Sequence, residues 1–299
     1  MKTSKSPNDI ARVAYITAQR SLPAYRHEFS PKKFTQHQLV ACLVLKEFFT
    51  TDYRGIEEIL NDSSDLRKIL KLHEVPHYTT LQKAAQRLTK KKVLDKLMRE
   101  ILTVAVEAKI MKKRIALSAI DGTGFESHHI SNYFVKRKAK GQGSIYQMTT
   151  YTQYPKLGIV SDCATHLVLS GVPSRGPYPD IVHYKKAIIE AEKNIHMKIL
   201  TADAGYDSEK AHTFAREQYG IRTIIPPRIG RPTHKLPKGK WRKVMATRFN
   251  KKLYGQRWQV ETVNSMIKRN LGSALRARSY WSQCREMMLK LFVHNVTVV

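Results

Sequence analysis

Three acidic residues stand where they could cooperate in chemistry. Asp121 and Asp203 each end a short apolar run, and Glu261 lies in the segment Tyr254–Lys268. Taken singly, each acid is better explained as a turn residue or as part of a solvated helix face. Together, three converging carboxylates would repel one another unless divalent cations lie between them, and their hard oxygens suit Mg²⁺ or Mn²⁺. Two such ions can activate an attacking oxygen and stabilise a leaving one, which predicts phosphoryl transfer.

The segment around Glu261 predicts a helix with a charged edge. Tyr254–Lys268 has no Pro and a single Gly at its second position. At 3.6 residues per turn, Tyr254, Arg257, Glu261 and Lys268 fall within an arc of about 60°. A solvated face with an Arg257–Glu261 pair is the simple alternative, since such a pair contributes only a few tenths of a kcal/mol. Arg forks and Lys charges also bind phosphate oxygens, which favours a DNA-binding edge.

The charge balance points to a nucleic-acid partner. The chain has 53 Lys plus Arg against 24 Asp plus Glu, a net charge of +29, and such an excess favours a polyanion. Three widely separated cysteines predict no disulfide framework. No apolar run approaches the roughly 20 residues of a membrane span. We therefore expect a cytoplasmic, nucleoid-associated protein without a membrane segment.

One metalloprotease-like motif is expected to be a chance match. His73-Glu-Val-Pro-His77 has the letters H-E-x-x-H. Zinc binding by this motif needs both histidines on one helical face, and Pro76 would break that helix. We therefore predict no zinc site here.

The elements that must position the three acids begin with a helical region. Thr35 and Gln38 predict a capping box, and Thr79 and Gln82 repeat its spacing. Further helices are expected over 52–60 and 64–72, so residues 1–108 are predicted to form an all-α domain. A basic stretch near its end fits a helix-turn-helix unit for DNA, and a helical dimerisation domain fits equally well: it contains Lys83, Arg87, Lys90, Lys91 and Lys92.

From residue 109 to 299 the pattern predicts an α/β domain. Three strands come first, followed by alternating helices and strands, which indicates a mixed sheet flanked by helices. Asp180 is expected to cap the first of these helices. Functional groups gather at the carboxyl ends of strands in such sheets, where a neighbouring helix can add Glu261. The predicted strands are 115–121, 157–162, 166–172, 199–203 and 221–225, and the helices after Asp180 include 208–219.

A basic insertion is predicted between the last strand and the charged helix, over about 226–253. It contains no acidic residue, and Trp241 and Phe249 lie among its cations. Aromatic rings among cations can stack bases and hold a backbone, so Trp241, Arg242 and Lys243 are candidate DNA contacts. A disordered linker is the alternative. The cations are Arg228, Arg231, Lys235, Lys238, Lys240, Arg242, Lys243, Arg248, Lys251 and Lys252.

These motifs together resemble one family. The spacing Tyr254-x2-Arg257-x3-Glu261-x6-Lys268 resembles the Y-R-E-K signature of DDE transposases from prokaryotic insertion sequences. The blocks Asp121-Gly-Thr-Gly and Asp203-Ala-Gly-Tyr match the surroundings of that family's first two acids. All three blocks occur in order, within about residues 114–278.

The resemblance implies an RNase H-like catalytic domain with Asp121, Asp203 and Glu261 as the metal-binding triad for two Mg²⁺ or Mn²⁺ ions. It implies that Tyr254, Arg257 and Lys268 contact the DNA end. The expected partners are double-stranded DNA, both transposon ends and target, bound by a homodimer. The expected reaction is cleavage of the ends and transfer of the free 3′-hydroxyl to target DNA. A catalytically inactive, transposase-derived DNA-binding protein is the alternative, and metal-dependent cleavage separates the two.

Overall fold

The computed structural model describes residues 3–29, 31–127, 154–227 and 235–299. The expectation of a helical N-terminal third is confirmed in the described part of that region. Its helices are α1 (Pro7–Ser21), α2 (Gln36–Phe48), α3 (Tyr53–Asp62), α4 (Ser64–Ile69), α5 (Tyr78–Leu88) and α6 (Lys91–Glu107).

One of the two predicted capping boxes is present. The Thr35 hydroxyl accepts from the backbone N–H of Gln38, and the Gln38 amide oxygen accepts from the backbone N–H of Thr35 at 2.8 Å. The box predicted at Thr79 is wrong, because α5 begins at Tyr78 and the His77 ring caps it. Residues 73–77 form a bend and an extended approach to α5. The single helical face that H-E-x-x-H chemistry needs is therefore not formed.

The C-terminal part is built on a five-stranded mixed sheet in the order β5-β4-β2-β7-β8. Strand β4 is antiparallel to both of its neighbours, β2 and β5, while β7 and β8 run parallel to β2. Three antiparallel strands followed by two parallel ones in this order form the RNase H-like arrangement, as predicted. The strands are β2 (Ser118–Gly124), β4 (Tyr154–Asp162), β5 (Val168–Gly176), β7 (Ile199–Thr201) and β8 (Arg222–Ile224).

Two short parallel pairs form separate two-stranded sheets, and helices flank the main sheet. β1 (Arg114–Ile115) pairs with β6 (His196–Met197), and β3 (Glu126–Ser127) pairs with β9 (Ala274–Leu275). The helices are α7 (Ile181–Glu192), α8 (Glu209–Thr213, continued by a π-turn), α9 (Lys240–Thr247), α10 (Lys251–Tyr254), α11 (Trp258–Leu271) and α12 (Tyr280–Val298). Of these, α7, α11 and α12 pack on the strands of the main sheet, and α9 packs on α8.

The N-terminal helices and the sheet share one apolar core. Helix α12 packs on α2 and α6 on one side and on β5 on the other, and its Leu291 and Phe292 are completely buried. The buried side chains of both regions form one cluster. The expected unit 1–108 is therefore anchored to the rest of the chain by its own apolar face. Among the described residues, no helix is long and apolar enough to cross a membrane.

A buried histidine makes the stability of this core pH-dependent. Burial lowers the pKa of His294 to about 4, and its Nε2 contacts the carbonyl oxygen of His166 at 3.0 Å. Between pH 6.5 and 4, His294 is therefore protonated in the unfolded state and neutral in the folded state. We expect full stability above pH 6.5 and a loss on the order of 3 kcal/mol as the pH falls to 4.

Chemical denaturation across this pH range measures the effect. His294→Gln should remove most of the pH dependence assigned to this site. The exposed His73→Gln serves as the matched control and should keep the wild-type profile. An unchanged profile in His294→Gln would contradict the assignment.

Candidate active site

The sheet register places Asp121 beside Asp203. β2 pairs in parallel with β7, and the last registered pair joins Ala119 to Thr201. Asp121 and Asp203 each follow two residues later, so alternation of side chains puts them on the same side of the sheet. The expectation that Asp121 ends its strand is wrong, because β2 continues to Gly124. Its antiparallel neighbour β4 supports this extension after β7 has ended.

The surroundings of Asp121 disfavour the ionised form of its carboxyl group. Burial, together with the negative charges of Asp180 and Asp203, raises the pKa of Asp121 to about 6. The backbone N–H of Gly122 and the Arg257 guanidinium act in the opposite direction. This region therefore favours a bound cation, which would hold the carboxylates in their ionised form.

A buried tyrosine lies in the turn that follows the second acid. Asp203 precedes a 3₁₀ turn, Ala204–Tyr206, and its side chain accepts from the backbone N–H of Gly205 at 2.9 Å. The Tyr206 hydroxyl contacts His183 Nε2 at 3.0 Å. Burial raises the pKa of Tyr206 well above its usual value, and the nearby aspartates raise it further. Tyr206 therefore stays neutral beside the acids.

The predicted single helix 254–268 is interrupted. Helix α10 ends at Tyr254, a 3₁₀ turn spans Gly255–Arg257, and α11 starts at Trp258. A 3₁₀ turn has three residues per turn, so Tyr254 is not placed by the α-helical spacing that relates Glu261 to Lys268. The common edge that the sequence predicts is therefore kept only within α11.

Glu261 is held by its neighbour. Arg257 Nη2 lies 2.6 Å from Glu261 Oε1, and the Glu261 side chain is 53% exposed. Burial opposes the charge of Arg257, but the hydrogen bond and charge of Glu261, with smaller effects of Tyr254 and Asp121, raise its pKa overall. The negative charges of Glu261 and Asp121 thus both stabilise the positive charge of Arg257. In the described ranges, no three His, Cys, Asp or Glu side chains are grouped closely enough to hold a metal ion.

The remaining predicted DNA contacts occupy two places. Lys268 Nζ lies 5.7 Å from the centre of the Phe125 ring, next to the end of β2 and so at the edge that carries Asp121. The Tyr254 ring packs against Phe249, with ring centres 5.0 Å apart. Lys268 is therefore near the candidate active site, whereas the Tyr254 ring belongs to the end of the basic insertion.

The basic insertion is fastened to the sheet domain. Arg242 Nη2 lies 2.7 Å from the buried Asp207, and Glu209 accepts from the backbone N–H groups of Trp241 and Arg242. The Trp241 indole N–H donates to Glu217 at 3.2 Å. Trp241 and Arg242 thus have structural partners within the chain, while Lys243 is exposed. Arg228 and Arg231 lie outside the described residues.

Sequence reasoning missed Asn264. Its side-chain nitrogen donates to Asp121 Oδ2 at 3.1 Å, and its buried Oδ1 has no hydrogen-bond partner among the described residues. A buried acceptor without a partner costs about 1–3 kcal/mol. The signal was present, since Asn264 stands three residues after Glu261 and therefore on a neighbouring part of the helix surface.

Sequence reasoning also missed the positions of Asp180 and His183, whose side chains occupy the space left by two glycines. Gly122 and Gly158 are directly paired on β2 and β4. A Cβ at Gly122 would collide with the Asp180 carboxylate, and one at Gly158 would collide with the His183 ring. The capping role predicted for Asp180 is wrong: it occupies the N-cap position without a capping hydrogen bond, and it pairs with Lys156 at 2.6 Å.

The donor set at this edge fits a hard divalent cation. Asp121 and Asp203 provide carboxylate oxygens, and Asn264 Oδ1 is an acceptor that has no donor among the described residues. Oxygen ligands of this kind are those of Mg²⁺ and Mn²⁺. Glu261 lies on the same helix as Asn264 and is paired with Arg257.

Sheet order, parallel register and an acidic edge define the chain as an RNase H-like α/β protein. A family model described as "Transposase DDE domain" matches residues 112–296, more than half of the chain. The protein therefore belongs to the DDE-domain transposase family, which acts in DNA transposition.

Solved transposase complexes show distant similarity. A piggyBac transposase synaptic complex with hairpin DNA is 11% identical, with a TM-score of 0.47, and the match covers 97% of this chain and 71% of that one. The Mos1 strand transfer complex is 11% identical, with a TM-score of 0.30 and coverages of 92% and 77%. A Mos1 mariner paired end complex with Mn is 10% identical, with a TM-score of 0.25 and coverages of 95% and 86%. No curated protein sequence matches the chain.

Proposed function

We propose that the protein is a transposase that binds the ends of a DNA element and catalyses metal-dependent strand cleavage and transfer. The observation that carries this proposal is the parallel register that sets Asp121 beside Asp203. Helix α11 packs on β2 and carries Glu261 and Lys268, and Arg257 in the preceding 3₁₀ turn pairs with Glu261. Carboxylates and cations on adjoining elements suit a phosphodiester substrate.

In the proposed mechanism, Asp121, Asp203 and Glu261 hold two divalent ions, Mg²⁺ or Mn²⁺. When bound, these ions supply an activated oxygen nucleophile and stabilise the leaving oxygen. Asn264 orients Asp121 through its 3.1 Å hydrogen bond. Its free Oδ1 accepts a hydrogen bond from water at the site.

Arg257 has two alternative partners in this proposal. Without DNA it pairs with Glu261 at 2.6 Å. A phosphate of the DNA end competes for the same guanidinium, because Arg binds phosphate and carboxylate with similar fork geometry. DNA binding thereby frees Glu261 to complete the carboxylate set. The active site is thus assembled only on the substrate.

The other DNA contacts follow from position and exposure. Lys268 binds a phosphate near the cut, and Tyr254 and Lys243 contact the DNA farther along the basic insertion. Trp241 and Arg242 first hold that insertion against α8 through Glu217 and Asp207. They contribute to DNA binding at the same surface. The protein acts as a homodimer on the transposon ends and joins them to target DNA.

Incubation with DNA that flanks its own gene tests this function. Cleavage at the element ends with Mg²⁺, and none with EDTA, is the expected result. End-specific binding without cleavage under either condition would favour the alternative, a catalytically inactive DNA-binding protein derived from a transposase. Absence of both binding and cleavage would contradict both functions.

Metal binding provides a test of Asn264 that is independent of cleavage. Asn264→Ala removes the hydrogen bond to Asp121 and should weaken Mn²⁺ binding by about 10- to 100-fold, the usual effect of losing a residue that orients a metal ligand. Titration calorimetry measures this affinity. Thr262→Ala on the same helix is the control and should bind Mn²⁺ like the wild type. Equal affinity in both variants would remove Asn264 from the site.

A further inference from the structure

Exposed cations mark the edge of the sheet opposite the candidate active site. Arg114 lies in β1, shortly before β2; Lys198 directly precedes β7; and Arg222 is the first residue of β8. These segments are adjacent, since Lys198 N donates to Ile115 O at 2.8 Å and Arg222 N donates to Lys198 O at 2.9 Å. Because β2, β7 and β8 are parallel, their starts share one edge.

The chain leading into β1 adds more positive charge. Lys109, Lys112 and Lys113 are exposed, as are the three cations at the strand starts. We call this surface the strand-start edge: Lys109, Lys112, Lys113, Arg114, Lys198 and Arg222. Neighbouring strands are about 4.8 Å apart, so Arg114, Lys198 and Arg222 form a row roughly 10 Å wide.

No carboxylate within the described ranges forms an ion pair with any of these six cations. The acids nearest in sequence have other partners. Glu107 pairs with Arg20 at 2.6 Å, and Glu192 contacts His196 at 2.9 Å. Asp162 is buried and accepts from Thr165.

The positive charge of Arg222 also acts on a neighbouring side chain. The pKa of Arg216 is lowered by burial and then by the positive charge of Arg222. Like charges gathered without counter-charges disfavour the free protein and favour a polyanionic ligand. A row of cations on a broad exposed edge suits a phosphate backbone rather than one small anion.

The edge is too far from the candidate active site for both to contact the same phosphates. Arg114 precedes Asp121 by seven residues along nearly extended chain, which corresponds to roughly 20 Å. Phosphates that are bound by Arg257 and Lys268 therefore cannot also contact the strand-start edge.

We propose that the strand-start edge is a second DNA-binding surface, which holds the backbone of duplex DNA away from the catalytic edge. The choice of DNA as the polyanion rests on the proposed function. Contacts to phosphates carry no sequence information, so this surface binds duplex of any sequence. Because this surface selects no sequence, its occupant is target DNA rather than the element itself.

Protection from lysine acetylation tests the surface in the wild-type protein. With a short random-sequence duplex bound, Lys112, Lys113 and Lys198 should become less reactive towards an acetylating reagent, as read by mass spectrometry. The exposed Lys96 and Lys210 should keep their reactivity. Equal reactivity of Lys112, Lys113 and Lys198 with and without duplex would overturn the proposal.

Charge removal provides the second measurement. One variant combines Lys112→Gln, Lys113→Gln, Arg114→Gln, Lys198→Gln and Arg222→Gln. Its matched control removes five scattered exposed cations, through Arg12→Gln, Lys96→Gln, Arg99→Gln, Lys186→Gln and Lys210→Gln. Relative to the control, the edge variant should bind the random duplex with a salt slope lower by about 2 or more. Equal slopes in the two variants would contradict the proposal.

Two further arms separate this proposal from the proposed function. Arg257→Gln with Lys268→Gln alters the catalytic edge and should leave protection of Lys112, Lys113 and Lys198 by the random duplex unchanged. Loss of that protection would place the phosphates at a single shared site and overturn the second surface. If protection persists while the wild type fails to cleave the element ends with Mg²⁺, the proposed function fails and the second surface stands.

Two experiments on the wild type distinguish target DNA from a distant segment of the element as the occupant of this surface. Adding a random duplex to protein already bound to an end fragment should produce a ternary complex if the edge holds target DNA. If lengthening the end fragment alone protects Lys112, Lys113 and Lys198, the edge holds a distant segment of the element, and target DNA is overturned as its occupant. If neither DNA protects these lysines, the second surface itself is contradicted.

Discussion

Glu261→Gln should abolish Mg²⁺-dependent cleavage of element ends while leaving end binding equal to or tighter than that of the wild type. The change keeps the size and helix propensity of the side chain and removes one negative charge from the proposed metal site. It also frees Arg257 from its 2.6 Å ion pair, so that the guanidinium is available to phosphate without competition. We expect cleavage to fall on the order of 1,000-fold, comparable to the loss of one essential electrostatic contact in a catalytic site.

Lys268→Ala provides the opposite phenotype on the same helix. Lys268 lies beside Phe125 at the end of β2, so its loss should remove one phosphate contact and no metal ligand. Binding to the end should weaken, its salt slope should fall by about 1, and cleavage should recover at high protein concentration.

Gel-shift and cleavage assays on one end fragment compare the two variants. Near wild-type cleavage by Glu261→Gln would remove Glu261 from the catalytic set. Its pair with Arg257 would then be an ordinary surface ion pair. Loss of binding in both variants to the same extent would instead assign the whole of α11 to DNA binding.

The sequence contains most of what brings Asp121 and Asp203 together. Both acids follow short apolar runs, and the order of strands and helices predicts the mixed sheet. Their parity in the parallel register, Ala119 opposite Thr201, is what sets them side by side. The end of β2 could not be predicted from the apolar run, because the strand continues through Gly122 and Gly124 on the support of β4.

The residues that sequence reasoning missed depend on contacts between distant elements. Asp180 faces Lys156 of β4 and Gly122 of β2, so its expected capping role could not be corrected from local sequence. Arg242 likewise has Asp207 as a partner, 35 residues away. A local pattern identifies a residue that is suited to a cap or to DNA. Tertiary packing decides which partner it actually meets.

The N-terminal helices also reach helix α11 through buried charge, which no local motif indicates. Lys290 of α12 is 3% exposed and donates to the carbonyl of Leu271, the last residue of α11. Its Nζ lies 3.4 Å from Glu47 of α2, and Lys46 pairs with the other Glu47 oxygen at 2.7 Å. Burial opposes the charge of Glu47, but the two lysines lower its pKa overall.

Lys290→Met should therefore destabilise the protein by about 3–5 kcal/mol, since it leaves Glu47 buried with one cation and the end of α11 without a donor. The exposed Lys96→Met is the matched control and should change stability by less than about 0.5 kcal/mol. Both are measured by chemical denaturation near neutral pH.

A second substitution separates loss of charge pairing from loss of packing. Glu47→Gln added to Lys290→Met removes the stranded carboxylate, so the double variant should be less destabilised than the sum of the single changes. Strict additivity would show that Lys290 acts on the Leu271 carbonyl alone. If the charges do couple, α2 and the end of α11 respond to the same buried pair.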